Sequence, residues 1–175
     1  SRQELANLMV GRQVIFHIEK EPVQLGPVVL DLDEVCAEND KGIQSLRGLS
    51  LQLRAGEVLG LAGVAGNGQN ELAQVISGLR KVTCGKITVQ GDELQNHPTN
   101  DSIRHGVAYI PEDRHNVGSA PNLSVTDNVI MKKYRQPPIA HGWVVDMNNA
   151  NEFANELKQA YEIIAPTVNT PVRLL

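Results

Sequence analysis

Hydrophobic and polar positions along the chain sort into alternating runs, short apolar runs between glycines, and helical stripes. Val28-Val29-Leu30-Asp31-Leu32-Asp33-Glu34-Val35 ends in apolar–acidic alternation and predicts a strand that is half-buried or at a sheet edge. A turn at Asn39-Asp40-Lys41-Gly42 follows. Leu49, Leu51 and Leu53 then alternate with Ser50, Gln52 and Arg54, which predicts a second strand over 43–53. Ala55-Gly56-Glu57 turns the chain into the apolar run Val58–Ala62, predicted as a buried strand, and a helical pattern runs from Glu71 to Leu79. Further along, the pattern predicts a strand over 84–91, a helix from Pro98 to His105 with proline in its first turn, and a buried strand over 106–110. Ser124 is placed to cap a helix over 124–131. Pro137-Pro138 breaks the chain, and the helix over 148–163 carries Phe153, Leu157, Tyr161 and Ile164 on one face. At the start, Leu5, Leu8 and Met9 fall at helical spacing over 1–10, and an extended linker follows to Pro27. Two alternating strands followed by an apolar strand predict a small antiparallel sheet beside an α/β core.

Composition narrows the class. The 175 residues are 41% hydrophobic, enough for one domain with a real core. A formal charge of −4 and 3% aromatic content argue against a nucleic-acid binder, which needs basic faces or stacking platforms. No apolar run approaches the ~20 residues that span a bilayer, so a cytoplasmic protein without direct membrane insertion is expected. Cys36 and Cys84, the only cysteines, fit a reducing compartment and no metal site, with a single disulfide left open. His17, His97, His105, His115 and His141 show no metal-ligand spacing and read as surface or loop residues.

The chemistry concentrates in Gly63-Val64-Ala65-Gly66-Asn67-Gly68-Gln69-Asn70-Glu71-Leu72. Strand, glycine loop and helix is the layout of a phosphate-binding loop, in which backbone N–H groups and the helix dipole converge on an anion. Gly63 and Gly68 meet the pattern G-x-x-x-x-G-K-[ST], but Gln69 stands in place of lysine and Asn70 in place of serine or threonine. Gln69 can donate a neutral hydrogen bond but brings no charge, and Asn70 can offer magnesium only an amide oxygen. The backbone half of the site, Gly66 to Glu71, survives. Taken alone, the loop is also compatible with a tight strand-to-helix turn. Asp31 and Asp33 end an apolar run as a magnesium-holding strand would; they precede the loop, however, and a plain strand is the simpler reading.

Taken together, Leu46–Leu51, Ala55–Leu61, the glycine loop, Gly85–Gly91 and Val107-Ala108-Tyr109-Ile110-Pro111-Glu112-Asp113-Arg114 resemble the nucleotide-binding domain of an ATP-binding cassette transporter, in order and in spacing. The loop followed by Ile-Pro-Glu-Asp-Arg is similar to the second cassette of tandem ATPases in simple-sugar and nucleoside importers. The segment Glu4–Arg12 resembles the joint after a first cassette. The resemblance implies a P-loop NTPase-like α/β fold with an antiparallel β-subdomain and part of a helical subdomain. Residues 1–26 would be the linker, 27–114 the antiparallel and P-loop core, and 115–175 the helical part.

The resemblance further implies ATP and Mg as cofactors, held by Gly63, Gly66, Asn67, Gly68, Gln69, Asn70, Glu71 and Glu112, with Asn70 and Glu112 toward the metal. Glu112 takes the place of the family's usual glutamine; the alternative is a surface acid paired with Arg114. The family's adenine-stacking aromatic is missing, since no aromatic lies between Phe16 and Tyr109, so adenine stacking is expected to be lost or replaced by an aliphatic contact near Cys36 and Ala37. Trp143 falls in the region that meets the permease in the family, but a core anchor is the preferred reading. The family pattern continues with a Leu-Ser-Gly-Gly signature, a strand ending in Asp-Glu and a switch histidine. None of these is found in the sequence, so a fragment without the catalytic carboxylate, and without turnover of its own, is expected. The implied partners are membrane permease subunits and the first cassette of the same polypeptide, at the cytoplasmic face of the membrane. The competing expectation is a docking module with a vestigial nucleotide site. A soluble cassette protein of DNA repair or translation fits the acidic charge and the tandem joint poorly.

Overall fold

The computed structural model describes residues 8–9, 24–64 and 66–175. Leu8 and Met9 are helical and exposed; the rest of the predicted N-terminal helix and nearly all of the linker lie outside the described residues. The first two strands, β1 (Val28–Glu38) and β2 (Gln44–Arg54), pair antiparallel, with Leu32 opposite Leu51. Their turn is held by Asn39, whose side-chain oxygen accepts from the N–H groups of Lys41 and Ile43, both at 3.0 Å. This is the Asx geometry for which asparagine is favoured in turns. β3 (Cys84–Val89) pairs with the other side of β1, and β4 (Asp92–Glu93) follows it, giving the order β2-β1-β3-β4 with every pairing antiparallel.

Helix α1 (Gln69–Ile76) buries Leu72 and Val75 in one cluster with Leu32, Val35 and Ala37 of β1, Leu46 of β2 and Ile87 and Val89 of β3. The i, i+3 spacing of Leu72 and Val75 puts both on one face. Each such side chain contributes about 1.5–3 kcal/mol by leaving water. α2 (Thr99–Arg104) begins at Pro98, and the Thr99 hydroxyl donates to Gly78 O at 2.9 Å, tying its start to the end of α1.

α3 (Val125–Ile130) starts at a capping box. Asp127 N donates to Ser124 Oγ at 3.0 Å and Ser124 N donates to Asp127 Oδ2 at 3.1 Å, so two orphan donors are satisfied reciprocally. A short hairpin, β5 (Ala140–His141) and β6 (Val144–Val145), leads into α4 (Met147–Ala160), capped by Asp146. A second apolar cluster forms from Ile130, Ile139 and Ala150. The hydroxyl of Thr126, wholly buried, donates to Asn151 Oδ1 at 2.7 Å and joins α3 to α4. A 3₁₀ turn, Val172–Leu174, ends the described chain.

Four expectations need correction. The runs Val58–Ala62 and Gly106–Ile110 are not strands, and Val58 is 96% and Ile110 80% exposed. Neither run has a ladder partner among the described residues, and a strand exists only where neighbours take up its N–H and C=O groups. The α4 face is built on Ala150 and Ala154, with Phe153 and Leu157 half-buried, whereas Tyr161 and Ile164 are exposed because the helix ends at Ala160. Trp143 is no core anchor. The turn at Gly142 (φ 65°) presents it at the hairpin tip, 97% exposed, while Ile139 and Ala140 fill the core position. The disulfide that the sequence left open is formed: Cys36 and Cys84 face each other across β1 and β3 and are joined.

Candidate functional site

The glycine loop turns from the irregular run before it into α1. Gly66 (φ 89°) and Gly68 (φ 99°) hold the left-handed conformation that lets the loop fold back on itself. Gly68 is also the N-cap of α1 and supplies no side-chain cap, so the first helical N–H groups stay open toward the loop. It is buried against the sheet: a Cβ there would stand 3.0 Å from both Leu46 Cδ2 and Ser45 O. No larger residue fits at this point without displacing the start of β2.

These elements enclose a cavity of about 340 Å³ lined by Leu61, Gly63, Gly66, Gly68, Gln69, Asn70, Glu71 and Glu112. Seven of the eight site residues expected from the sequence are thus brought together. The eighth, Asn67, is exposed in the loop, with its N–H on Val64 O at 3.2 Å, and does not line the cavity. Glu112 arrives from more than forty positions further along the chain, and no ion pair joins it to Arg114 among the described residues. A second cavity of about 430 Å³ shares Asn70 and Glu112 and adds Gln74, Tyr109 and Asp113. Asp113 stiffens that side: its carboxylate accepts from the backbone and side chain of Asn116 and from His115 N, which holds its pKa below the ordinary aspartate value.

Gln69 does not reach into open space. Its Nε2 donates to Val64 O at 3.3 Å, and the side chain lies over Gly63 so closely that a Cβ there would collide with it. The amide is therefore folded back across the loop. The charge balance is the site's second peculiarity. Among the described residues, Glu71 and Glu112 are the ionisable ones lining the cavity, both acidic, and no lysine or arginine lines it. Backbone dipoles and the helix N-terminus attract a phosphate, while the carboxylates oppose it. Asn70 and Glu112 put one amide and one carboxylate group on the same cavity, a donor set suited to a hard cation that keeps water and phosphate oxygens as its other ligands. No cluster of three or more His, Cys, Asp or Glu side chains is poised for a metal among the described residues.

The expected adenine contact near Cys36 and Ala37 is not available. Ala37 is wholly buried in the core, and Cys36 is 9% exposed and bonded to Cys84. Sequence reasoning missed Leu61, the last apolar residues of the run before the loop being its only signal. It also missed Ser45 and Leu46, which close on Gly68 from β2 and which nothing local marks.

A glycine loop whose backbone faces a cavity ahead of a helix, beside an antiparallel sheet, is the arrangement against which known proteins can be compared. The family described as ABC transporter matches residues 46–170. The chain belongs to the ABC transporter family. It is 44% identical over 163 residues to the glucose import ATP-binding protein TsgD13 of Haloferax volcanii, a match covering 93% of this chain and 30% of that protein. It is 37% identical over 175 residues to the guanosine import ATP-binding protein NupO of Bacillus subtilis, covering all of this chain and 34% of the relative. The nucleoside import ATP-binding protein NupA of Lactococcus lactis is also 37% identical, over 93% of the chain and 32% of its own length. The chain thus spans about a third of the length of the curated relatives it matches. Among solved structures, a nucleotide-free ATP-binding cassette from an ABC transporter superposes with a TM-score of 0.58 at 16% identity, covering 85% of this chain and 59% of that one. That likeness is one of fold, an α/β cassette of the P-loop NTPase kind with its antiparallel strands. Membership in the family implies ATP as the nucleotide that such a domain binds.

Proposed function

We propose that this chain is the phosphate-loop part of the second cassette in a tandem ATP-binding subunit of an importer for nucleosides or simple sugars. Its site holds Mg-ATP weakly and contributes to transport by holding rather than by cleaving. Residues 1–26 are then the linker from the preceding cassette, 27–114 the antiparallel and P-loop core, and 115–175 the helical part. The remaining site, with the signature and the catalytic carboxylate, belongs to segments outside these residues. The partners are the permease subunits and the first cassette, at the cytoplasmic face of the membrane. The names of the relatives, which import glucose, guanosine and nucleosides, support the substrate class.

One observation carries the reading of weak binding: the cavity keeps the backbone nest and the open helix N-terminus, yet is lined by Glu71 and Glu112 with no cationic side chain among the described residues. A triphosphate brought in alone meets two like charges. Asn70 and Glu112 would hold magnesium, which would supply the positive charge that the missing lysine would have given. Gln69 releases Val64 O and donates to a phosphate oxygen, a neutral hydrogen bond in place of a charge-assisted one. The chain's own residues therefore bind and orient the phosphates but offer little extra to a transition state that gathers charge.

The experiment is photolabelling with an azido-ATP analogue in the polypeptide that carries both cassettes, with the labelled peptide mapped to the Gly63–Leu72 loop. Labelling at millimolar Mg-ATP analogue that strengthens in Gln69→Lys is expected. No labelling of this loop at any concentration, with labelling of the other site intact, would mean a vestigial site in a docking module.

A further inference from the structure

β1 and β3 run in plain antiparallel register from Leu30↔Val89 to Asp33↔Lys86, and resume at Cys36↔Cys84. Between these points β1 spends one residue more than β3. The extra residue is a bulge at Glu34, which has a φ of 50°. The bulge changes the phase of the strand, so that the core face passes from Leu32 to Val35 and Ala37, while Cys36 stays outside that cluster. Opposite it, Gly85 (φ 83°) lies with its Cα against the carbonyl of Glu34, and no Cβ fits between them. A bulge on one strand and a glycine on the other thus set the two sulfurs side by side, with the Cα atoms 4.9 Å apart. The two cysteines differ in access: Cys84 is exposed and Cys36 is 9% exposed.

We propose that Cys36 and Cys84 form a thiol–disulfide exchange site for low-molecular-weight disulfides such as oxidised glutathione. Paired cysteines in a reducing compartment are usually transient and redox-sensing rather than structural. The exposure assigns the order. The Cys84 thiolate attacks one sulfur of the small disulfide, breaks its S–S bond and expels one thiolate, leaving a mixed disulfide on Cys84. The Cys36 thiolate then attacks Cys84 Sγ, forms the Cys36–Cys84 bond and expels the second small thiolate. Two electrons pass from the cysteine pair to the small disulfide, and the two protons go to the two thiols released. Excess small thiol runs the sequence backwards.

The bond is linked to the phosphate loop through β1 and β2. Ala37 O, the next carbonyl after Cys36, accepts from Ser45 Oγ at 3.1 Å, and Ser45 O and Leu46 are the groups that close on Gly68. The oxidised pair pins this end of β1 to β3, and with it the wall on which the loop rests. The exchange rests on the sheet geometry and on the cytoplasmic location proposed above, and stands whatever the importer carries.

The test uses the full-length polypeptide, equilibrated in buffers of graded oxidised-to-reduced glutathione, quenched by alkylation and digested with trypsin. The peptides Glu21–Lys41 and Val82–Lys86 carry the two cysteines. Their cross-linked form is expected to rise with the oxidised fraction and to vanish in excess reduced glutathione under native conditions. Cys36→Ser is expected to accumulate glutathione on Cys84, and Cys84→Ser to leave Cys36 unmodified while folded. A cross-link that never forms, one that native reduction cannot open, or glutathione placed on Cys36 as readily as on Cys84 would each overturn the proposal.

Discussion

Replacing Gln69 by lysine tests the account of the loop most directly. In the native chain the cavity has Glu71 and Glu112 on its lining and Gln69 folded onto Val64 O. A lysine at this position has the length to reach the same carbonyl when the site is empty and a phosphate when it is filled. The exchange turns a neutral hydrogen bond into a charge-assisted one and removes one unit of net negative charge from the lining. Hydrogen bonds to charged groups contribute roughly 1.5–3 kcal/mol, against about 0.5–1.5 for neutral ones. With the added attraction to the phosphates, partly screened because Glu112 is exposed, a gain of about 1.5–3 kcal/mol is expected, or ~10- to 100-fold in affinity. Gln69→Glu adds a third carboxylate and is expected to weaken binding. The assay is a Mg-ATP titration of the full-length polypeptide, read by labelling of this loop so that any other site does not contribute. Equal affinity in Gln69→Lys and Gln69→Glu would refute the reasoning, because charge at residue 69 would then not reach the phosphates.

Other consequences follow from the same structure. Glu112→Gln removes one of the two opposing carboxylates, so the dependence of ATP binding on magnesium is expected to weaken, with metal-free ATP gaining most in a titration with chelator. Thr126→Val leaves Asn151 Oδ1 without its buried donor, and about 1–3 kcal/mol of stability should be lost, seen as an earlier urea midpoint for α3 and α4 by hydrogen exchange. Reducing the Cys36–Cys84 bond, which spans 48 residues, releases roughly 4 kcal/mol of chain-entropy constraint and should lower the melting temperature of the β-subdomain. His105 donates from Nδ1 to Asp101 O at 2.8 Å and from Nε2 to Asp92 Oδ2 at 3.0 Å when charged, and these partners, Asp101 first, raise its pKa above the ordinary histidine value. A raised native pKa favours folding below the unfolded value, near pH 6.5, and that contribution is lost as pH climbs through the native pKa; an NMR titration of His105 placing its midpoint below 6.5 would contradict the geometry.

The sequence by itself determined the local elements and the chemistry of the loop. Alternation marked β1 and β2 because one face of each is buried in the sheet core, and Ser124 marked its helix because the capping box is written in four consecutive residues. The glycines, with Gln69 and Asn70 where a phosphate loop has lysine and serine or threonine, pointed to a phosphate site that keeps its backbone half and lacks the charge. Only the tertiary structure decided what depends on a distant partner. Apolar runs at 58–62 and 106–110 look like strands, yet remain irregular where no neighbouring strand among the described residues takes up their hydrogen bonds. Trp143 is exposed because a hairpin turn, not hydrophobicity, sets its direction. The meeting of Glu112 with the loop and the closure of Ser45 and Leu46 on Gly68 join positions far apart in the chain. The Cys36–Cys84 pair needs a bulge in one strand and a glycine in the next, and neither can be read from the spacing of two cysteines. Periodicity reports which face of an element is buried, whereas the partner that buries it is fixed only when the chain closes on itself.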